Sequence, residues 1–147
     1  MTSLLILNGP NLNLLGTRQP EVYGQTTLAE IESMCMEAAA SLGCNATCLQ
    51  SNHEGSLVES VHAASGVHDG IILNAGAYTH TSIALMDSIS SVGVPVIELH
   101  LSNIHARDKF RHKSYIAPVA VGQICGFGPA GYRLAILAMH AYLEDRK

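Results

Sequence analysis

Short apolar runs of strand length alternate along this chain with segments of helical period, and nothing else constrains the fold so tightly. Leu4-Leu5-Ile6-Leu7 is a continuous apolar run, the pattern of a strand buried on both faces. Thr27-Leu28-Ala29-Glu30 is a capping box that opens a helix. Behind it Leu28, Ile31, Cys35, Ala38 and Leu42 keep helical spacing until Gly43 stops it. A second strand is expected over 46–50, then a helix opened by the box Ser56-Leu57-Val58-Glu59 and ending near Gly66. A third strand follows over 70–73, a helix over 82–91 ended by Gly93, and a fourth strand over 94–99. The fifth strand is expected over 117–121, and Pro118 inside it demands a sheet edge. Pro129 suits the first position of a closing helix, on which Tyr132, Ile136, Met139 and Leu143 share a face.

This alternation predicts an α/β fold: a five-stranded parallel sheet, right-handed crossovers and helices on both faces, in three layers. The doubly wound order 2-1-3-4-5 puts the Pro118 strand at an edge, as its proline requires. The 147 residues carry no linker, repeat or low-complexity stretch, so a single domain over 1–147 is expected.

Composition narrows the function. Apolar residues are 48% of the chain, enough for a core and too many for a disordered segment. No apolar run approaches the roughly 18 residues of a membrane span. The net charge of −4, with scattered basic residues, argues against nucleic acid, which needs a basic stripe. Charged residues are only 14%, against about 25% in soluble proteins. Surface covered in a homo-oligomer accounts for that shortage. Cys35, Cys44, Cys48 and Cys125 form no CxxC and suit a reducing compartment. With no signal peptide before the sequon Asn45-Ala46-Thr47, a cytoplasmic location is expected.

In sheets of this order ligands bind beyond the carboxyl ends of the strands. Polar residues gather there: Asn8, Ser51-Asn52-His53, Asn74, and His100 with Ser102-Asn103. From Asn8 to Gly24 run 17 residues, against the usual 2 to 6 of a loop after a strand. Such loops are commonly lids, and this one carries Arg18 and Tyr23. Taken alone, that pair is most simply an arginine stacked on an aromatic ring.

Other motifs carry less. The glycines of Gly126-Phe127-Gly128-Pro129-Ala130-Gly131 match G-x-G-x-x-G, but no strand with an acidic ribose ligand follows, so a turn allowing close packing is expected and a nicotinamide cofactor is not. The 8 histidines build no H-E-x-x-H: Leu57 occupies the second ligand position after His53-Glu54. Glu98 and His100 share a strand face and His105 or His112 could add a third ligand, but without Cys pairs or a dedicated carboxylate cluster no metal is expected. G-x-S-x-G is absent, and Lys109, Lys113 and Lys147 lie outside the strands, which argues against a Schiff base. A non-catalytic flavodoxin-like module holding a phosphate or flavin under the long loop is the alternative. Against it, that loop has no Ser/Thr-rich cradle and the chain has no Trp.

Residues 8–16, Asn-Gly-Pro-Asn-Leu-Asn-Leu-Leu-Gly, resemble the opening signature of the type II 3-dehydroquinate dehydratases. Ser51-Asn52-His53-Glu54-Gly55, Gly76-Ala77-Tyr78-Thr79-His80-Thr81-Ser82, Glu98-Leu99-His100-Leu101-Ser102-Asn103, Phe110-Arg111-His112 and the 126–131 turn fit the same family in collinear order. The resemblance implies a flavodoxin-like lyase that dehydrates 3-dehydroquinate to 3-dehydroshikimate through an enolate, without metal or cofactor. That reaction serves either shikimate biosynthesis of aromatic amino acids or quinate breakdown. It further implies Tyr23 as the base at C2, His100 as the acid for the C1 hydroxyl, and Arg18 as the lid arginine that activates the tyrosine. Asn11 would orient the groups near the enolate oxygen, and Glu98 would orient His100. Asn74, His80, Arg111, Ser102 and the Leu101 backbone would bind substrate. Asp87 would reach a neighbouring subunit's site in a dodecamer built from trimers. Gln19, Ala75 and Met86 depart from residues common in the family, and bear on lid closure and subunit contact rather than chemistry.

The chemistry is consistent. A tyrosine of pKa about 10 is only about 0.1% ionised at pH 7. An adjacent arginine lowers such a pKa by roughly 1 to 3 units, raising the phenolate fraction about 10- to 1000-fold. Imidazole titrates near working pH, which suits His100 to proton transfer.

Overall fold

The computed structural model describes residues 1–17 and 19–147, without the side chains of Val22 and Tyr23. Five parallel strands, β1 (Thr2–Asn8), β2 (Cys44–Gln50), β3 (Gly70–Asn74), β4 (Val96–His100) and β5 (Gly122–Cys125), form one sheet. Their order is β2-β1-β3-β4-β5, as the alternation predicted. The helices are α1 (Pro20–Tyr23), α2 (Leu28–Ser41), α3 (Glu54–Ala64), α4 (Ile83–Val92) and α5 (Ala130–Glu144).

Strand side chains alternate between the faces, so β1 supplies both halves of the core. Leu4 and Ile6 pack with Ile31, Cys35, Tyr132 and Ile136 on the side of α2 and α5. Leu5 and Leu7 pack with Leu57, Val61, Leu85 and Ile89 on the side of α3 and α4. Each such fully buried side chain contributes roughly 1.5–3 kcal/mol, so the sheet's central strands are the most firmly held. Thr27 does cap α2: its Oγ1 accepts from the Glu30 N–H at 3.2 Å, and the Glu30 carboxylate accepts from the Thr27 hydroxyl at 3.1 Å.

Several boundaries differ from the sequence reading, among them the start of β2, at Cys44 rather than 46. Residues 117–119 form a 3-10 turn, not a strand, because Pro118 has no N–H for a ladder and the neighbouring N–H groups close locally, Val119 to Ile116 and Ala120 to Ala117. Pairing starts where the Val121 N–H reaches the Val96 carbonyl, and β5 is still the edge strand. The strand over 94–99 begins only at Val96 and extends to His100. The third helix opens at Glu54 behind His53, so Ser56 lies inside its first turn and caps nothing.

The glycine-rich turn does serve close packing. A Cβ on Gly131 would lie 2.8 Å from Leu99 Cδ1, so a larger residue there would have to push the Leu99 side chain aside for α5 to sit this close to β4. Gly9 plays the same part at the end of β1, where a Cβ would lie 2.6 Å from the Ala75 carbonyl oxygen. That approach brings the loop after β1 over the end of β3.

Candidate active site

The carboxyl ends of β1, β3 and β4 open into a cleft of about 230 Å³. Its lining includes Asn11, Asn74, His80, His100, Leu101, Ser102, Arg107 and Arg111. Seven of these were expected from the sequence, and the fold brings them together from four separate stretches of chain. Arg18 and the Tyr23 side chain lie outside the described residues. Asp87 is exposed on α4 and does not line this cleft.

Asn11 holds a left-handed backbone at φ 68°, a conformation that asparagine tolerates better than most residues. Its N–H donates to Asn52 Oδ1 at 2.9 Å and its carbonyl accepts from the Leu14 N–H, so the turn is fixed from both sides.

Asn74 ends β3, 3% exposed, with its amide held at both ends. Its Oδ1 accepts from the Gly76 N–H at 3.2 Å, and its Nδ2 donates to the Tyr132 hydroxyl at 3.1 Å. Tyr132 in turn donates to Asn8 Oδ1 at 2.6 Å. Burial drives the Tyr132 hydroxyl's pKa upward, so it stays a neutral donor. Asn8 Nδ2 finds no partner among the described residues.

Glu98 and His100 leave β4 on one face, as strand alternation requires. His100 Nε2 lies 2.5 Å from Glu98 Oε2. Glu98 is fully buried, yet its carboxyl is held below the usual carboxylate value. Desolvation pushes it up; the hydrogen bond and charge of His100, with hydrogen bonds from Ser114 and Gln123, outweigh that. Ser114 Oγ lies 2.9 and 2.8 Å from the two carboxylate oxygens, and the Thr79 hydroxyl lies 3.3 Å from Oε2. A carboxylate so supplied with donors stays ionised inside the protein.

His80 stacks on His100, ring centroids 6.3 Å apart and 16° from parallel. Its Nδ1 donates to the Lys113 carbonyl at 2.8 Å, which leaves Nε2 as an acceptor. Desolvation lowers the His80 pKa despite that bond, with the neighbouring His100 and Arg111 charges adding to the effect, so the neutral ring is favoured.

Two arginines give the cleft its positive side. Arg111 Nε lies 3.4 Å from Asp108 Oδ2, with its guanidinium 4.9 Å over the Phe110 ring. Arg107 Nη1 donates to Ser102 Oγ at 3.3 Å. Arg107, Thr79, Ser114, Gln123 and Tyr132 were not picked out in the sequence as site residues. Only Arg107 carried a signal, a second arginine four residues before Arg111. Among the described residues, no three His, Cys, Asp or Glu side chains gather as a metal cage. His105 and His112 approach only to a ring separation of 6.2 Å, and His112 Nε2 is occupied by the Arg107 carbonyl. No helix of the described residues is long and apolar enough to cross a membrane.

A buried carboxylate–imidazole pair, a neutral second imidazole, amides and two guanidiniums suit proton transfer to and from an anionic, hydroxylated molecule. Known proteins resemble the chain in the same sense. The family model described as dehydroquinase class II matches residues 2–140. A 3-dehydroquinate dehydratase of Ruegeria pomeroyi is 68% identical over 144 residues, 98% of this chain and 97% of that one. That of Dinoroseobacter shibae is 61% identical, covering 95% of this chain and 93% of its own. The type II dehydroquinase structure from Butyrivibrio crossotus superposes with a TM-score of 0.92 at 41% identity, over 95% of this chain and 97% of that one.

Proposed function

The chain belongs to the class II dehydroquinases, and on that premise we propose that it is a hydro-lyase converting 3-dehydroquinate to 3-dehydroshikimate at this cleft, through an enolate and without a Schiff base, metal or cofactor. Tyr23, activated by Arg18, takes the C2 proton. The electron pair moves into the C3 carbonyl to give the enolate, near which Asn11 sits. The pair then returns to form the C1–C2 double bond as the C1 hydroxyl leaves, protonated by His100.

The Glu98–His100 pair at 2.5 Å carries this reading. The Nε2–H is committed to Glu98, so Nδ1 is the nitrogen available to the leaving hydroxyl. An ionised Glu98 offsets the positive charge of a ring protonated at both nitrogens. His80 offers Nε2 as an acceptor for a substrate hydroxyl, beside Asn74, Ser102 and the Leu101 backbone. Arg111, with Arg107 near it, suits the substrate carboxylate.

The proposal includes assembly in the cytoplasm as a dodecamer built from four trimers, with Asp87 reaching a neighbour's site. Asp87 stands exposed on α4, and Phe110, Phe127 and Val67 are each more than half exposed, apolar surface of the kind that subunit contacts cover. Sizing in native buffer should give a mass far above 15.6 kDa; a monomer contradicts the assembly. The reaction is tested by adding 3-dehydroquinate and following the near-ultraviolet absorbance of the conjugated product. The rise should be unaffected by chelator or borohydride. A borohydride-trapped covalent adduct would sink the enolate route.

A further inference from the structure

The two site histidines are oriented from one short stretch of chain that lies between the cleft and β5. Residues 113–115 make three bonds to the site's supports. The Lys113 carbonyl accepts from His80 Nδ1 at 2.8 Å. The Tyr115 N–H donates to the Thr79 carbonyl at 2.8 Å, anchoring the turn that carries His80. Ser114 Oγ reaches both oxygens of Glu98. The same oxygen accepts from the Ile116 and Ala117 N–H groups at 3.1 and 3.0 Å, so its lone pairs are taken and its proton is directed at the carboxylate.

We propose that residues 113–115 form a positioning strap for the reaction, and that Ser114 is its working residue, holding Glu98 so that Glu98 holds His100. Ser114 touches no substrate; it acts through the carboxylate. One strap thus sets His80 with Nε2 as acceptor and His100 with Nε2–H turned to Glu98, and the stacked rings present their remaining nitrogens to the same cleft. Glu98 has its Oε2 shared by His100, Thr79 and Ser114, and Ser114 is the donor that spans both of its oxygens. Without that donor the carboxylate keeps only the Thr79 and Gln123 bonds beside His100 and loses the one donor that reaches both of its oxygens, so its grip on the imidazole loosens.

This inference rests on the role proposed for His100, and a double-mutant cycle separates the two. Ser114→Ala should lower kcat about 10- to 100-fold, the range typical of a supporting partner, with KM changed much less. Ser114→Thr, which keeps the hydroxyl, should restore most of kcat. In a Glu98→Gln background the added Ser114→Ala change should cost little further rate, because its target is gone. If the two losses multiply independently, or if Ser114→Ala raises KM and leaves kcat intact, Ser114 merely braces the loop and the proposal falls. If Glu98→Gln alone leaves kcat untouched, the role given to the His100 pair fails instead. Thermal melts of each variant identify any loss due to unfolding, and Ser114→Thr carries the test if Ser114→Ala does not fold: a folded threonine variant without activity overturns the proposal.

Discussion

Glu98 and His100 stand two positions apart on β4 and meet at 2.5 Å between Oε2 and Nε2, the carboxylate wholly buried and the imidazole at the lip of the cleft. Strand geometry makes the pairing almost obligatory, since alternate residues share a face. The carboxylate's charge survives burial because His100, Ser114 and Gln123 supply its hydrogen bonds.

Replacing that charge with an isosteric amide tests what it does. Glu98→Gln keeps the volume and loses the charge opposite the imidazole. kcat for 3-dehydroquinate should fall about 100-fold, the size expected of general acid–base participation, while the protein stays folded. Steady-state kinetics with a thermal melt checks both halves.

Acid should loosen the fold in two stages. His80 is lowered from its ordinary 6.5, chiefly by desolvation, so its contribution is present above that value and is lost as pH falls through the folded one. Glu98 is lowered from 4.5, so its contribution is present above that value and goes at still lower pH. The urea midpoint should therefore fall from neutral pH downward, and His80→Gln should remove the first part of the slope. A midpoint that rises on acidification contradicts the assignment.

The Asn8–Tyr132–Asn74 network makes a separate prediction. Tyr132→Phe keeps the ring in the core and removes the hydroxyl, leaving Asn74 Nδ2 and Asn8 Oδ1 without that partner. Unpaired buried groups cost roughly 1–3 kcal/mol each. The variant should unfold at a lower urea concentration, and its KM should rise because Asn74 is no longer held from below. Denaturation and kinetics on the one variant separate the two effects.

The sheet order was legible because apolar runs and helical stripes alternate cleanly, and because Gly43 and Gly93 end helices in the left-handed conformation that glycine takes easily. Boundaries slipped where local chemistry competes: Pro118 makes a turn, and His53 rather than Ser56 starts α3. The polar ends of β1, β3 and β4 located the cleft, and Glu98 with His100 could be paired by spacing alone. Individual roles for Asn11, Asn74, His80 and Arg111 came from motif resemblance. The parts Ser114 and Tyr132 play at the site were invisible for a physical reason. Ser114 meets Glu98 across 16 positions and Tyr132 meets Asn8 across 124, so no periodicity links them.

The most direct test of a dehydration driven from this cleft follows near-ultraviolet absorbance on adding 3-dehydroquinate to the unaltered protein and to His100→Ala. The unaltered protein should generate the conjugated product. The variant should turn over about 100- to 10,000-fold more slowly while still binding the substrate. No absorbance change from the unaltered protein, or an equal rate from His100→Ala, would contradict it.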